Sequence, residues 1–260
     1  MLPSTTTQEA VIKGNQATFL VAGSGGATAV TRGVNGLIPP RALSNTQTTA
    51  TLVEWHDLPR TTEFNIFASQ GDQRQIMQKS SIATMNRKRD SDIITELNTG
   101  TVNTGAAVTA TLMLFMKSKT ILGNADIPWD MNITGLITPA FEAYLSQVKE
   151  FSSAEYVSKK VFDMADPAWR DQPVQFFWKG VVWIVHPNLP GAGTAAEKCF
   201  LYHKNAIGHA VNKAGMDIAA GYNDEQNYSW ARSSCFMGTQ ILQNAGVVIM
   251  NHDGSQLVAA

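Results

Sequence analysis

The residues that could do chemistry in this chain are five histidines, two cysteines, one knot of aspartates, one glycine run and one basic cluster. The spacing of each argues against catalysis. His203 and His209 lie six residues apart, which on a helix sets them on different faces, and His56, His186 and His252 are scattered. No pair has the i, i+4 spacing with a flanking acid that a helical zinc site uses. They read as structural histidines. Cys199 and Cys235 are far apart and each precedes a Phe, so they read as buried thiols in a reducing compartment. Asp163, Asp166 and Asp171 surround Pro167 and Trp169 and read as a solvated loop rather than as an acid–base pair. Gly23-Ser24-Gly25-Gly26 is followed by Ala27-Thr28-Ala29, where a phosphate loop needs Lys and then Ser or Thr at a helix start. It also lacks the glycine spacing of a dinucleotide fold. No G-x-S-x-G elbow holds a serine on a strained turn. The expectation is no catalytic residue, no metal and no organic cofactor.

Arg87-Lys88-Arg89, with Arg74 and Lys79 upstream, is the one local concentration of positive charge. Phe64 and Phe67 alternate with little basic charge, a poor stacking platform for single-stranded nucleic acid. The cluster reads as a solvated face or as a contact to acidic groups of another subunit. Phe64, Ile66, Arg74, Lys79, Arg87, Lys88 and Arg89 are the candidate intersubunit contacts. Formal net charge is -1, so no global field holds nucleic acid by counterion release. Charged residues make up 16% of the 260, against roughly 25% in an average soluble domain. Thr, Ser, Asn, Gln, Ala and Gly fill the deficit, and a neighbour can cover such residues without stranding a charge. Met1 to Ala10 has neither a basic start nor an apolar run, and nowhere do about 18 apolar residues run together. The chain reads as a cytosolic product with no membrane segment.

The elements that would position these residues fall into three parts. Residues 1–50 contain four ionisable side chains and no sustained period, and read as an extended arm ordered only against something else. Between Trp55 and Met85 the alternation Glu63-Phe64-Asn65-Ile66, a turn at Ser69-Gln70-Gly71-Asp72 and a second run Gln75-Ile76-Met77-Gln78 predict a projecting two-stranded hairpin. Asp92 as N-cap predicts a short helix to Leu97, ended by Gly100. Val108, Leu112, Phe115 and Leu122 predict a longer one over 106–122. Thr138 as cap and Pro139 in the first turn predict a third over 139–151. The last third reads as strands over 174–180, 181–185, 198–202 and 246–250, with a helical start at 205–211. Helices and strands mix without βα alternation, which predicts an α+β fold.

In this order the features resemble a family: the major capsid proteins of tailed phages with the Hong Kong phage (HK97-type) fold. Ala125-Asp126-Ile127-Pro128 is similar to the family's turn into its axial domain, and residues 136–146 to the helix that follows. Trp178-Lys179-Gly180-Val181-Val182-Trp183-Ile184-Val185-His186-Pro187-Asn188-Leu189-Pro190 is similar to its glycine, strand and Asn-Leu-Pro segment. Phe200-Leu201-Tyr202-His203-Lys204-Asn205-Ala206-Ile207-Gly208-His209-Ala210 resembles the segment in which a strand feeds a helix through Ala-Ile-Gly. Gly238 and Ala245-Gly246-Val247-Val248-Ile249 resemble the closing helix and return strand. The likeness runs over about 90–254; residues 1–89 match in architecture only.

The resemblance implies an N-terminal arm at 1–50 and an extended hairpin loop at 51–89. It implies a peripheral domain at 90–127 with a spine helix, completed by a C-terminal strand at 240–254, and a mainly axial domain at 128–239. It implies a major capsid protein that self-assembles through pentamers and hexamers into an icosahedral head. That head would enclose viral DNA on its inner face without sequence specificity. A separate scaffolding protein, a portal and a decoration protein are the implied partners. The implied location is the virion, after synthesis in the bacterial cytoplasm. An encapsulin-like compartment shell is the alternative reading, and a soluble α+β enzyme with an unrecognised site is the third. Lys79 is a candidate donor for the isopeptide cross-link some members form, but nothing in the sequence identifies its partner.

Overall fold

The computed structural model of the chain describes residues 2–8, 10–23, 28–38, 40, 44–69, 71–149, 175–212 and 215–255. The knot of aspartates and most of the glycine run lie outside them. Thirteen strands and four α-helices are present among the described residues. The first three strands, β1 (Val11–Lys13), β2 (Gln16–Gly23) and β3 (Ser44–Thr51), form an antiparallel sheet in that order. Then come β4 (Val53–Asp57), β5 (Arg60–Thr62), α1 (Glu63–Ala68) and α2 (Gln73–Leu97). With β10 (Ile207–Val211), β11 (Asp217–Asn223) and β12 (Tyr228–Ile241), β4 and β5 make a five-stranded sheet in which β12 pairs with all four others. Helix α2 lies against β12, where Ser81 donates to Ser233 at 2.9 Å beside the buried Met85, Cys235 and Met237.

The second five-stranded sheet is β13-β9-β6-β8-β7. It is built from β6 (Ile133–Ile137), β7 (Gln175–Trp178), β8 (Val181–Val185), β9 (Glu197–His203) and β13 (Val247–His252). Strand β6 is buried at every position, as a central strand covered on both faces must be, and runs parallel to β8 and antiparallel to β9. Lys179 and Gly180 both have positive φ, the two-residue turn that suits the twist of the β7–β8 hairpin. Helices α3 (Leu112–Asn124) and α4 (Pro139–Ser146) supply Phe115, Leu122, Phe141 and Leu145 to the same core as Trp178 and Trp183. Thr138 caps α4 by accepting from the Phe141 N–H at 3.2 Å, with Pro139 in the first turn as predicted.

Five expectations need correction. Residues 63–68 and 73–97 are helical, so no two-stranded ribbon occupies 51–89. Four residues of alternation satisfy a helical face as well as a strand, and the deciding pattern is longer. Met77, Ser81, Met85, Ile93 and Leu97 are buried at multiples of four, one stripe of a helix about 38 Å long. Asp72 caps this helix through the Gln75 N–H, whereas Asp92 lies inside it and pairs with Lys88 at 2.7 Å. The long helix is therefore α2, and α3 begins at Leu112 rather than at 106. Residues 101–108 give their main-chain groups to β13 instead: Ile249 N–H donates to Val102 O and Val108 N–H to Asn251 O. Residues 207–211 are a strand rather than a helical start, because they pair with 237–241 on one side and with Thr7 on the other. The closing helix expected around Gly238 is absent, since that glycine lies within β12 and leaves room for the Thr51 carbonyl where a Cβ would sit.

Candidate assembly surface

A surface that binds copies of its own chain should show apolar groups left uncovered by the fold. The β2–β3 ribbon does so at one end only. Its register runs from Gln16 opposite Thr51 to Gly23 opposite Ser44, and neither strand contains an ionisable residue. At the root the inward positions Ala17, Phe19 and Ala50 are buried with Ala210 of β10. Gly208 makes room there for the Phe19 ring, which a Cβ would meet at 2.7 Å. Beyond the root none of the described residues covers it. Leu20 is 66% exposed, Thr46 to Thr49 face outward or nearly so, and Val30, Val34, Leu37 and Ile38 are all exposed.

A second uncovered group sits at the junction of α1, α2, β5 and β12. Phe64 and Phe67 are 75% and 87% exposed, and Ile76 is exposed beside them, while Ile66 is half-buried. Arg74 donates to Glu63 at 2.9 Å and to Ser229 Oγ at 3.2 Å, and Ser229 also reaches Glu63. The charges here cancel within the subunit, and the phenylalanines project past them.

The basic cluster does not form one patch. Lys79 and Arg87 are exposed on α2, with no hydrogen-bond or ion-pair partner among the described residues. Arg87 borders an open groove with Ser91, His186 and Asn188, and burial pulls the His186 pKa below its ordinary value. Lys88 lines the same groove, but its Nζ lies 3.7 Å from the centre of the Trp55 ring and is paired with Asp92. Arg89 turns inward, and its Nε is buried without a hydrogen-bond partner among the described residues. Of the predicted contacts, the structure brings Phe64, Ile66 and Arg74 to one end, sets Lys79 and Arg87 along α2, and occupies Lys88 and Arg89 within the subunit.

Sequence reasoning missed the ribbon tip. Its signal was Val34-Asn35-Gly36-Leu37-Ile38, an apolar run in a charge-poor stretch, together with the Thr-rich alternation of β3.

The histidines are dispersed. His203 Nε2 lies 3.1 Å from Asp130, whose carboxyl is held below its usual range chiefly by the Asn132 amide. His209 is buried against Thr239 at 2.8 Å, and burial pulls its pKa down to about 4. His252 is buried against Glu197. Among the described residues no three His, Cys, Asp or Glu side chains come together as a metal site. Both cysteines are free and buried, and burial pushes the Cys199 thiol up to about 12, far from a nucleophile's range.

The site is a surface of uncovered neutral and apolar chain, with buried and dispersed titratable groups. The family model for phage capsid proteins matches residues 1–254. The chain belongs to the phage capsid protein family. No curated protein sequence matches it. Among solved structures the capsid protein is similar to a chain of Mycobacterium phage Che8, at 16% identity and a TM-score of 0.66, covering 91% of this chain and 84% of that one. It is similar to the head structure of Helicobacter pylori bacteriophage KHP40, at 12% and 0.68 over 96% and 88%. It is also similar to the capsid of cyanophage Pam1, at 12% and 0.68 over 93% and 86%. At such identities the likeness is one of fold, and that fold is the HK97 type. The capsid protein is a structural subunit of the virion that associates with itself, in the role of major capsid protein. The compartment and enzyme readings are not favoured.

Proposed function

We propose that the subunit closes an icosahedral head by forming five- and six-membered rings, in which the β2–β3 ribbon lies across a neighbouring copy. The observation that supports this is the ribbon itself: charge-free strands, a buried root and an apolar tip left bare by the described residues of its own subunit. Ordering such a segment costs about 1–2 kcal/mol of backbone entropy per residue, and burial against another copy offsets it. In this reading the arm, the ribbon and a peripheral unit carrying α2 make the lateral contacts, while an axial unit lines the ring centres. A separate scaffolding protein guides closure, a portal occupies one vertex and a decoration protein binds outside. DNA packs against the inner face without sequence readout, and synthesis takes place in the bacterial cytoplasm. No catalysis, cofactor or metal enters, and among the described residues no helix is long and apolar enough to cross a membrane.

Replacing Val34, Leu37 and Ile38 together by Ser tests the reading. The expected outcome is a folded subunit by circular dichroism, with its melting temperature within a few degrees of the parent and particle yield by electron microscopy reduced at least tenfold. Shells of normal yield from the triple variant would overturn the role given to the tip.

A further inference from the structure

Glu197 opens β9 and His252 closes β13, and the antiparallel register sets them opposite each other. Both side chains are fully buried, with imidazole Nδ1 and carboxylate Oε2 3.0 Å apart. Phe141 and Tyr144 of α4 meet the imidazole edge-on, at 5.0 and 5.4 Å between ring centres. Gly254 closes over the carboxylate so tightly that a Cβ there would collide with Oε2. Three polar atoms in this enclosure, His252 Nε2, Glu197 Oε1 and the Tyr144 hydroxyl, have no hydrogen-bond partner among the described residues.

This geometry distinguishes the protonation states. With Nδ1–H donating to Glu197, neutral His252 leaves only a lone pair at Nε2. A second proton must go to Nε2, where it becomes a buried N–H with no acceptor at hydrogen-bond distance among the described residues, and an unmade hydrogen bond in such a place is costly. The groups that face the imidazole are Glu197 from β9, Asp253 beside it and the Tyr144 hydroxyl from α4. The Asp253 carboxylate is already engaged, accepting from the Ser255 N–H at 3.1 Å and the Ser255 hydroxyl at 2.6 Å. Burial lowers the His252 pKa below 6.5, against the opposing pull of Glu197 and Asp253. The corner that encloses the pair is held by few bonds: Gly254 N–H to Thr194 O at 3.2 Å and Asp253 N–H to Val108 O at 3.1 Å.

We propose that the Glu197–His252 pair is a proton-gated latch on the C-terminal strand. One proton taken up by His252 opens the corner at residues 252–255 while the rest of the sheet stays closed. The closed state has the lower His252 pKa and the open state the ordinary one, so the open state binds more protons between the two values. Closure is therefore fully stable above about pH 6.5 and weakens as pH falls toward the closed-state pKa, by at most about tenfold per pH unit for one proton. The latch lies within one subunit and does not depend on the proposed ring contacts.

Hydrogen exchange of the purified subunit at pH 7.5 and 5.5, corrected for intrinsic rates, tests it. The expected result is a loss of protection of up to about tenfold at residues 252–254, with the amides of 200–202 and 248–250 unchanged. His252→Gln, which keeps a donor toward Glu197 and cannot titrate, should flatten the dependence. Equal loss in H252Q, loss spread evenly over β9 and β13, or no loss at all would each overturn the latch. If H252Q does not fold, the wild-type comparison between 252–254 and 200–202 decides alone.

Discussion

The β2–β3 ribbon and the β13-β9-β6-β8-β7 sheet are both antiparallel β-structure for most of their length, yet they meet their needs in opposite ways. The sheet is completed inside the subunit. Every position of β6 is buried, and Trp178, Trp183, Phe115 and Phe200 lie in one core with it. The ribbon is completed there only at its root, through Phe19 and two alanines. A strand that carries its own cover declares itself in the sequence by apolar runs such as Val181 to Val185. One whose cover lies on another molecule can be nearly all Thr, Gln, Asn and Ala, and shows no such run.

The sharpest way to separate the two regions is to remove one large side chain from each. Trp183 stacks on Phe176 at 6.2 Å, meets Phe115 edge-on at 5.2 Å, and donates its buried N–H to Trp178 O at 3.1 Å. Trp183→Ala should cost about 3–5 kcal/mol and abolish shells together with folding, read by chemical denaturation. Phe19→Ala should cost less, about 2–3 kcal/mol, because its cluster is small and borders solvent. Its particle yield should fall much further than its stability. Equal stability losses at the two sites would mean that the ribbon root belongs to the main core, and the comparison would fail.

Legibility followed the same division. Strands β7, β8, β9 and β13 and helix α4 were readable from apolar runs and from the Thr138-Pro139 cap, because their signals are local and their partners intramolecular, whereas the central β6, whose last two residues the likeness gave to a helix, was not. Helices α1 and α2 are read as strands from the sequence because four residues of each, 63–66 and 75–78, satisfy two periods at once. The true stripe of α2 contains a serine and skips Arg89, so it is weak in hydrophobicity although regular in spacing. The strap at 101–108 acts largely through main-chain bonds to β13, joined by Thr104 Oγ1 accepting from the Asn251 N–H, and no apolar period announces it. The candidate contacts were legible as residue types and not as directions. Nothing in Arg87-Lys88-Arg89 tells which one faces water, since successive helical residues are set about 100° apart and only the packed body decides which way each looks.

That triplet supplies the smallest and most specific contrast. Lys88 sits over the Trp55 ring and bridges to Asp92, so its charge is used within the subunit. The cation–π contact at a half-buried site is worth about 0.5–1 kcal/mol, and the i, i+4 pair a few tenths more. Arg87, one residue earlier, is exposed and makes no hydrogen bond or ion pair among the described residues, so Arg87→Ala should change subunit stability by less than about 0.5 kcal/mol. If an acidic neighbour meets Arg87 in the shell, the assembly of R87A should become less sensitive to salt, since exposed pairs are screened over about 8–10 Å. Lys88→Ala should do the reverse, lowering stability by about 1 kcal/mol and leaving the salt dependence of assembly as it was. Denaturant midpoints of the two variants, set beside light-scattering assembly curves at low and high salt, read both effects at once. A destabilised R87A with a parental salt response would place Arg87 among the internal contacts, and the outward face of α2 would lose its part in assembly.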